Sequence, residues 1–179
     1  MAEIPVVTTD RLVLRGWEPG DIDRYAAMCA DPEVMRYLGA GKPLSRAEVE
    51  KRVRSDFVEE WDHWGQGHWV VATRDNNDFI GYCALLLWKE GTPEATPEVA
   101  YGFARSAWGK GLATEAARAA IQWGMDRFDW TSVAGLTHPD NVASQQVLTK
   151  LGMTFTGQWD GPFYRMNVYE AAREEFLAS

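Results

Sequence analysis

The stretch Trp108-Gly109-Lys110-Gly111-Leu112-Ala113-Thr114 constrains the fold of this chain more than any other. Before it, Pro97 to Ala104 reads as a strand. After it, Leu112, Ala116, Ala119, Ala120 and Trp123 form an apolar stripe at helical spacing. Two glycines therefore sit where a strand turns into a helix. The first N–H groups of a helix lack intrahelical partners, and the macrodipole adds roughly half a positive charge there. Glycine lets the backbone take left-handed dihedrals and approach a ligand closely. Together these features make a site for a pyrophosphate, with Lys110 as an added charge. A tight turn with no ligand would use the same residues.

Two other phosphate patterns fit less well. The Walker loop needs Ser or Thr after Gly-Lys, and here Gly111 follows Lys110. The dinucleotide fingerprint needs Gly or Ala where Thr114 stands. Its ribose-binding acid would be Asp129, which falls before the next strand rather than at its end.

Elsewhere strand-like and helix-like stretches alternate, which predicts a mixed α/β architecture. Thr9 to Gly16, Trp69 to Thr73, Phe79 to Trp88 and Ser132 to Thr137 read as strands. Thr154 to Trp159 and Phe163 to Tyr169 read as a closing hairpin. Helices start at Pro19-Gly20-Asp21 and Asp31-Pro32-Glu33. Ser45 with Glu48 is a capping box that opens a longer helix to roughly Trp61. Asn141 caps a further helix, which Gly152 ends.

The N-terminal Met1-Ala2-Glu3-Ile4-Pro5 has neither a basic region nor an apolar run, and no segment has the length to cross a bilayer, so the expected location is cytoplasmic. Cys29 and Cys83 lack metal-ligand spacing and are expected as reduced core thiols. A net charge of −8 disfavours nucleic-acid backbones and favours cationic partners, though acidity also simply keeps a chain soluble.

At the glycine turn the sequence resembles the GNAT superfamily, and within it the RimJ/RimL branch. The superfamily pattern Gln/Arg-x-x-Gly-x-Gly/Ala is met by Gly111 and Ala113, while Trp108 replaces the leading Gln or Arg. The run Trp108 to Ala116, then Asn141-Val142-Ala143-Ser144 and Lys150-Leu151-Gly152-Met153, resemble that branch in order. So do Thr9 to Arg15 and Asp31 to Met35 near the start.

The resemblance implies one GNAT domain over residues 1–179, of α/β (α+β) class. Its mixed, mostly antiparallel sheet would be flanked by helices and splayed between its fourth and fifth strands. It implies acetyl-CoA as acyl donor, without a metal. Tyr101, Gly102 and Phe103 on the fourth strand would bind the pantetheine arm as an added strand does. Trp108, Gly109, Lys110, Gly111, Leu112 and Ala113 would form the pyrophosphate turn, and Asn141 would reach the pantetheine. The acceptor is implied to be an amine, either a protein N-terminal α-amine or a small cation such as a polyamine or aminoglycoside. A homodimer is compatible with the branch. A non-catalytic acyl-CoA-binding module is the alternative from a different class.

Transfer from a thioester to an amine needs a base, because an alkyl ammonium has a pKa of about 10.4. It also needs a donor for the developing oxyanion and an acid for the departing thiolate. Glu98, heading the fourth strand, is the candidate base. Ser144, in the first turn of its helix, is the candidate proton donor and a cofactor contact, although serine is common at helix starts regardless of function. Phe155 stands where some GNAT members carry a tyrosine and cannot give a proton. Tyr101 is expected as a packing or backbone position, and His138 as a turn residue. Acceptor selection is expected from Glu59 to His68, rich in rings and acids, and from Gly157 to Phe163.

Overall fold

The computed structural model describes residues 3–92 and 94–179. Met1 and Ala2, on which part of the leader reading rests, lie outside them. Among the described residues eight strands run in chain order: β1 (Val7–Thr8), β2 (Leu12–Arg15), β3 (His68–Thr73), β4 (Phe79–Trp88), β5 (Thr96–Phe103), β6 (Ser132–Thr137), β7 (Thr154–Asp160) and β8 (Arg165–Ala172). They form one sheet in the order β1-β2-β3-β4-β5-β6-β8-β7, in which only β5 and β6 are parallel. The mixed, mostly antiparallel sheet expected from the sequence is therefore present. The short β1 shifts the count by one, so the splayed pair is β5 and β6.

Helices cover both faces. Helix α1 (Pro19–Cys29), the short α2 (Pro32–Met35) and α3 (Arg46–Arg52) precede β3, and α3 leads through a wide π turn, Val53–Phe57, into α4 (Val58–Trp64). Helix α5 (Leu112–Arg127) links β5 to β6, α6 (Val142–Lys150) links β6 to β7, and α7 (Arg173–Leu177) ends the chain. The Ser45 capping box forms as its sequence predicts, with Ser45 N–H donating to Glu48 Oε2 at 2.7 Å. The helical path then runs three residues beyond Trp61, through a π turn that periodicity does not mark.

The period-two pattern explains the layering. Leu12, Leu14, Trp69, Val71, Cys83, Leu85 and Val99 pack with Ala116, Ala117, Ala120 and Ile121 of α5. Val70, Ala72 and Tyr82, their alternates, pack with Tyr25, Met28, Val49 and Phe57, and Phe79 joins them because the β3–β4 register shifts between Val71 and Ala72. Small side chains on α5 bring it close to the sheet. At Gly124 a Cβ would stand 2.2 Å from Trp130 Cζ3 and 3.0 Å from Leu85 Cδ1. Arg15, buried at the end of β2, is neutralised by Asp21 through bonds of 2.7 and 3.0 Å. Cys29 and Cys83 are free and buried, as expected.

Candidate active site

Strands β5 and β6 share a single register pair, Glu98 with Ala134, and diverge beyond it. A cleft of about 630 Å³ opens in this wedge, walled by β5, the end of β6, the glycine turn, the start of α6 and the segment after α2. The edge of β5 that faces it can be read from the ladder. Ala104 N–H donates to Ile80 C=O at 2.9 Å, so Gly102 and Ala100 also turn their backbone groups toward β4. Val99, Tyr101 and Phe103 turn theirs toward the splay. Past the single rung with β6, Tyr101 presents an N–H and a C=O, and Phe103 an N–H, along an open edge. The Phe103 carbonyl is already taken, because Trp108 Nε1 donates to it at 2.9 Å. Trp108 thus supplies a backbone-anchoring N–H from the position where the family pattern has Gln or Arg. Gly102 is required for a different reason: a Cβ there would stand 2.6 Å from the Tyr82 ring.

The turn into α5 has the geometry that its glycines predict. Gly109 and Gly111 take φ of 72° and 74°, in the left-handed region. A Cβ at Gly109 would meet nothing within 4 Å, and at Gly111 only Arg11 Nη2 at 3.8 Å. Glycine is therefore kept for its dihedrals, and the volume beside it is open to a ligand. No side chain caps α5 among the described residues, which leaves its first N–H groups directed at the cleft. Open glycines and an uncapped sixteen-residue helix fit a diphosphate group well.

Arg11 holds this turn from behind. Its Nη1 donates to the Lys110 carbonyl at 3.0 Å, and its Nε donates to Glu115 Oε2 at 2.6 Å. Glu115 Oε1 also accepts from Thr9 Oγ1 at 2.6 Å and from the Arg11 N–H at 3.1 Å. Burial pushes the Glu115 carboxyl up, but these bonds hold it below its ordinary range.

Ser144 lies across the cleft from the turn. Asn141 Oδ1 accepts the Ser144 N–H at 3.2 Å and starts α6. The Ser144 hydroxyl is 3.0 Å from the Tyr101 hydroxyl, and either oxygen can donate. Burial raises the Tyr101 phenol well above its ordinary value. Tyr101 therefore does more than pack: it ties β5 to α6 through the proposed proton donor, which reading along the chain did not anticipate. Glu98 stands at the narrow end of the wedge, half-buried, and its carboxyl has no hydrogen bond or ion pair among the described residues. Burial alone lifts its carboxyl from 4.5 to about 7.

Glu98, Tyr101, Gly102, Phe103, Trp108, Gly109, Gly111, Leu112, Ala113, Asn141 and Ser144 all line this one cleft. Lys110 does not. Its side chain is exposed, and its contribution is the carbonyl that Arg11 holds. The acceptor segment also needs correction. Trp61, His68 and Trp69 are buried, with Trp61 and Trp69 packed edge to face at 4.6 Å. His68 stacks on Phe57 at 3.7 Å and bonds Glu60 through Nδ1 at 2.6 Å. Trp61 and His68 thus build core, because β3 is an interior strand covered on both faces, while His63 and Trp64 are exposed. A shallower hollow of about 460 Å³ beside α4 shares no residue with the cleft.

The far mouth is formed instead by Glu33, Arg36, Tyr37, Tyr164 and Met166. Tyr164 Oη donates to the Tyr37 carbonyl at 2.7 Å, strapping the β7–β8 hairpin to the segment after α2. Of that hairpin, Tyr164 in the turn and Met166 at the start of β8 reach the cleft, and Gly157 to Phe163 do not. His138 lies between the Tyr37 and Tyr164 rings and accepts the Asp140 N–H at Nδ1, 3.0 Å away, as a turn residue does.

Comparison with known proteins agrees with this architecture. Residues 11–154 match the family described as "Acetyltransferase (GNAT) domain". The uncharacterized protein YkkB of Bacillus subtilis is 30% identical over 176 residues, spanning 92% of this chain and 94% of YkkB. Among solved structures, AAC(6')-Ib in complex with ribostamycin and coenzyme A superposes with a TM-score of 0.79 at 18% identity, over 95% of this chain and 98% of that one. RimL, described as a ribosomal L7/L12 alpha-N-protein acetyltransferase in complex with coenzyme A, superposes with a TM-score of 0.77 at 15% identity, over 94% and 98%.

Proposed function

The chain belongs to the GNAT acetyltransferase family, and from that premise we propose that it transfers an acetyl group from acetyl-CoA directly to an amine. The observation that carries this reading is the meeting, in one cleft, of an open strand edge, an uncapped glycine-flanked helix start and a half-buried, unpaired carboxyl. Gly109, Gly111, Leu112 and Ala113 would hold the pyrophosphate with their backbone, and the Tyr101 and Phe103 edge would hold the pantetheine arm. When bound, the donor supplies a thioester, so no acyl-enzyme and no side-chain nucleophile is required.

The residues of the chain then have separate tasks. Glu98, with a carboxyl near neutrality, takes a proton from the incoming ammonium. The N–H groups on the β5 edge face the place where negative charge develops on the acyl oxygen. Ser144, held by Tyr101, gives a proton to the departing sulfur. These assignments rest on position in the cleft and on chemistry.

For the acceptor, the RimJ/RimL-like motifs favour a protein N-terminal α-amine. A small polycationic amine is the second reading, favoured by Glu33 and the rings of Tyr37 and Tyr164 at the far mouth and by Glu98 at the narrow end of the wedge. The proposed setting is the cytoplasm, with a homodimer as the assembly to test. No helix among the described residues is long and apolar enough to cross a membrane.

The deciding experiment is calorimetric titration with acetyl-CoA, with NADH and ATP as controls, followed by a thiol-release screen of peptide N-termini, polyamines and aminoglycosides. Micromolar binding of acetyl-CoA alone, lost in Gly111→Trp, supports the reading. Preference for NADH or ATP refutes it. Donor binding without turnover on any amine would favour a sensing module instead.

A further inference from the structure

Three buried side-chain polar atoms lack a hydrogen-bond partner among the described residues: Gln66 Nε2, Trp88 Nε1 and Thr137 Oγ1. Thr137 is the one of the three whose residue lines the cleft. It ends β6 and is only 3% exposed. The register places it further. Glu98 pairs with Ala134, so three residues along each parallel strand bring Tyr101 and Thr137 level across the splay. The Tyr101 hydroxyl is engaged by Ser144, and its backbone faces the wedge from the opposite side. Threonine and valine have nearly the same shape, and a buried hydroxyl without a partner is less stable than the methyl that would replace it. The hydroxyl therefore makes sense at this position when a partner enters from the cleft.

We propose that Thr137 Oγ1 hydrogen-bonds to the acyl donor at its thioester end, as a positioning contact that complements the Tyr101 edge. The inference rests on the acetyl-CoA reading above and names a residue that neither the glycine motif nor the Asn141-to-Ser144 motif contains.

The test compares wild type, Thr137→Val and Thr137→Ser by calorimetric titration with acetyl-CoA and with 3′,5′-ADP, which lacks the pantetheine arm and the thioester. Thermal melting without ligand is measured alongside. Removing one such hydrogen bond should weaken acetyl-CoA binding about fivefold in Thr137→Val, with 3′,5′-ADP affinity unchanged. The unliganded melting temperature should stay equal or rise, and Thr137→Ser should bind acetyl-CoA as wild type does. Unchanged acetyl-CoA affinity in Thr137→Val would overturn the proposal. So would equal weakening for both ligands, or a lowered unliganded melting temperature, which would mean that the hydroxyl serves the fold. If Thr137→Val does not fold, Thr137→Ser decides: a loss of affinity there would show that the methyl matters and not the hydroxyl. Failure of wild type to bind acetyl-CoA would instead refute the broader reading.

Discussion

Replacing Glu98 with glutamine should make this protein more stable and less active, and the two effects should have different pH dependences. The Glu98 carboxyl has no cation or donor beside it among the described residues, and burial alone carries it from 4.5 to about 7. A carboxyl whose pKa is raised by folding binds more protons in the native state than in the unfolded one. Its contribution is therefore fully present below the unfolded value and is lost as pH climbs through about 7. At about 1.36 kcal/mol per pKa unit, the ionised form costs up to roughly 3 kcal/mol of folding free energy at pH 8. Glutamine has the same shape and does not titrate. Its own buried amide adds an offset that is constant with pH, so the informative quantity is the change in the difference between the two proteins. From pH 5 to pH 8 Glu98→Gln should gain about 2.5 kcal/mol on wild type, or about 5–10 °C in melting temperature for a chain of this size. Over the same span wild-type kcat/KM should rise as the base ionises, by about tenfold between pH 6 and pH 8. The variant should be slower by about two orders of magnitude or more, with no such rise. Scanning calorimetry across pH and a thiol-release assay provide both measurements. Parallel stability curves for the two proteins would refute the burial argument. A wild-type rate that is flat with pH would refute the role as base.

Three further outcomes are expected. Ser144→Ala should lower kcat by one to two orders of magnitude while acetyl-CoA affinity stays within about twofold, and adding Tyr101→Phe should cost little more, because the two hydroxyls act as one unit. Wild-type turnover in Ser144→Ala would reduce that residue to a helix-start role. Arg11→Ala should weaken acetyl-CoA binding about tenfold with a smaller change in kcat, since it frees the Lys110 carbonyl and leaves the Glu115 carboxylate uncompensated near the phosphate turn; titration calorimetry reads this directly. Gly124→Ala should destabilise the fold by about 1–3 kcal/mol, because its Cβ would press into Trp130 and Leu85; an unchanged melting temperature would mean that α5 can shift off the sheet.

Elements whose own side chains set their periodicity were readable in the sequence. Phe79–Trp88 and Ser132–Thr137 coincide with β4 and β6, and the turn at Gly109 and Gly111 has the left-handed dihedrals that its residue types predict. Glu98 was legible as the head of a strand beside that turn. What stayed hidden depends on partners far away in the chain. β1 has two residues and exists through pairing with β2, and α7 is a short turn docked by Phe176. The Tyr101–Ser144 bond joins residues 43 apart, and the Arg11 clamp on Lys110 spans 99. Aromatic composition misdirected the acceptor assignment, because rings at Trp61, His68 and Trp69 serve a core as readily as a pocket. The mouth at Tyr37 and Tyr164 comes from two segments 127 residues apart that only the folded topology brings together.

The single rung between Glu98 and Ala134 divides the sheet into two plates, β1 to β5 on one side and β6 to β8 on the other. Side chains and α5 hold the plates together, with little backbone ladder between them. A ligand that pairs with the open edge of β5 would act as a missing splint and join the plates along their length. Amide exchange at Tyr101 and Phe103 should then slow when donor is added, and the two plates should open less independently. Cooperativity of unfolding, in this view, is partly lent by the donor, and an enzyme that has released its product is for that interval a looser body than the one that held it.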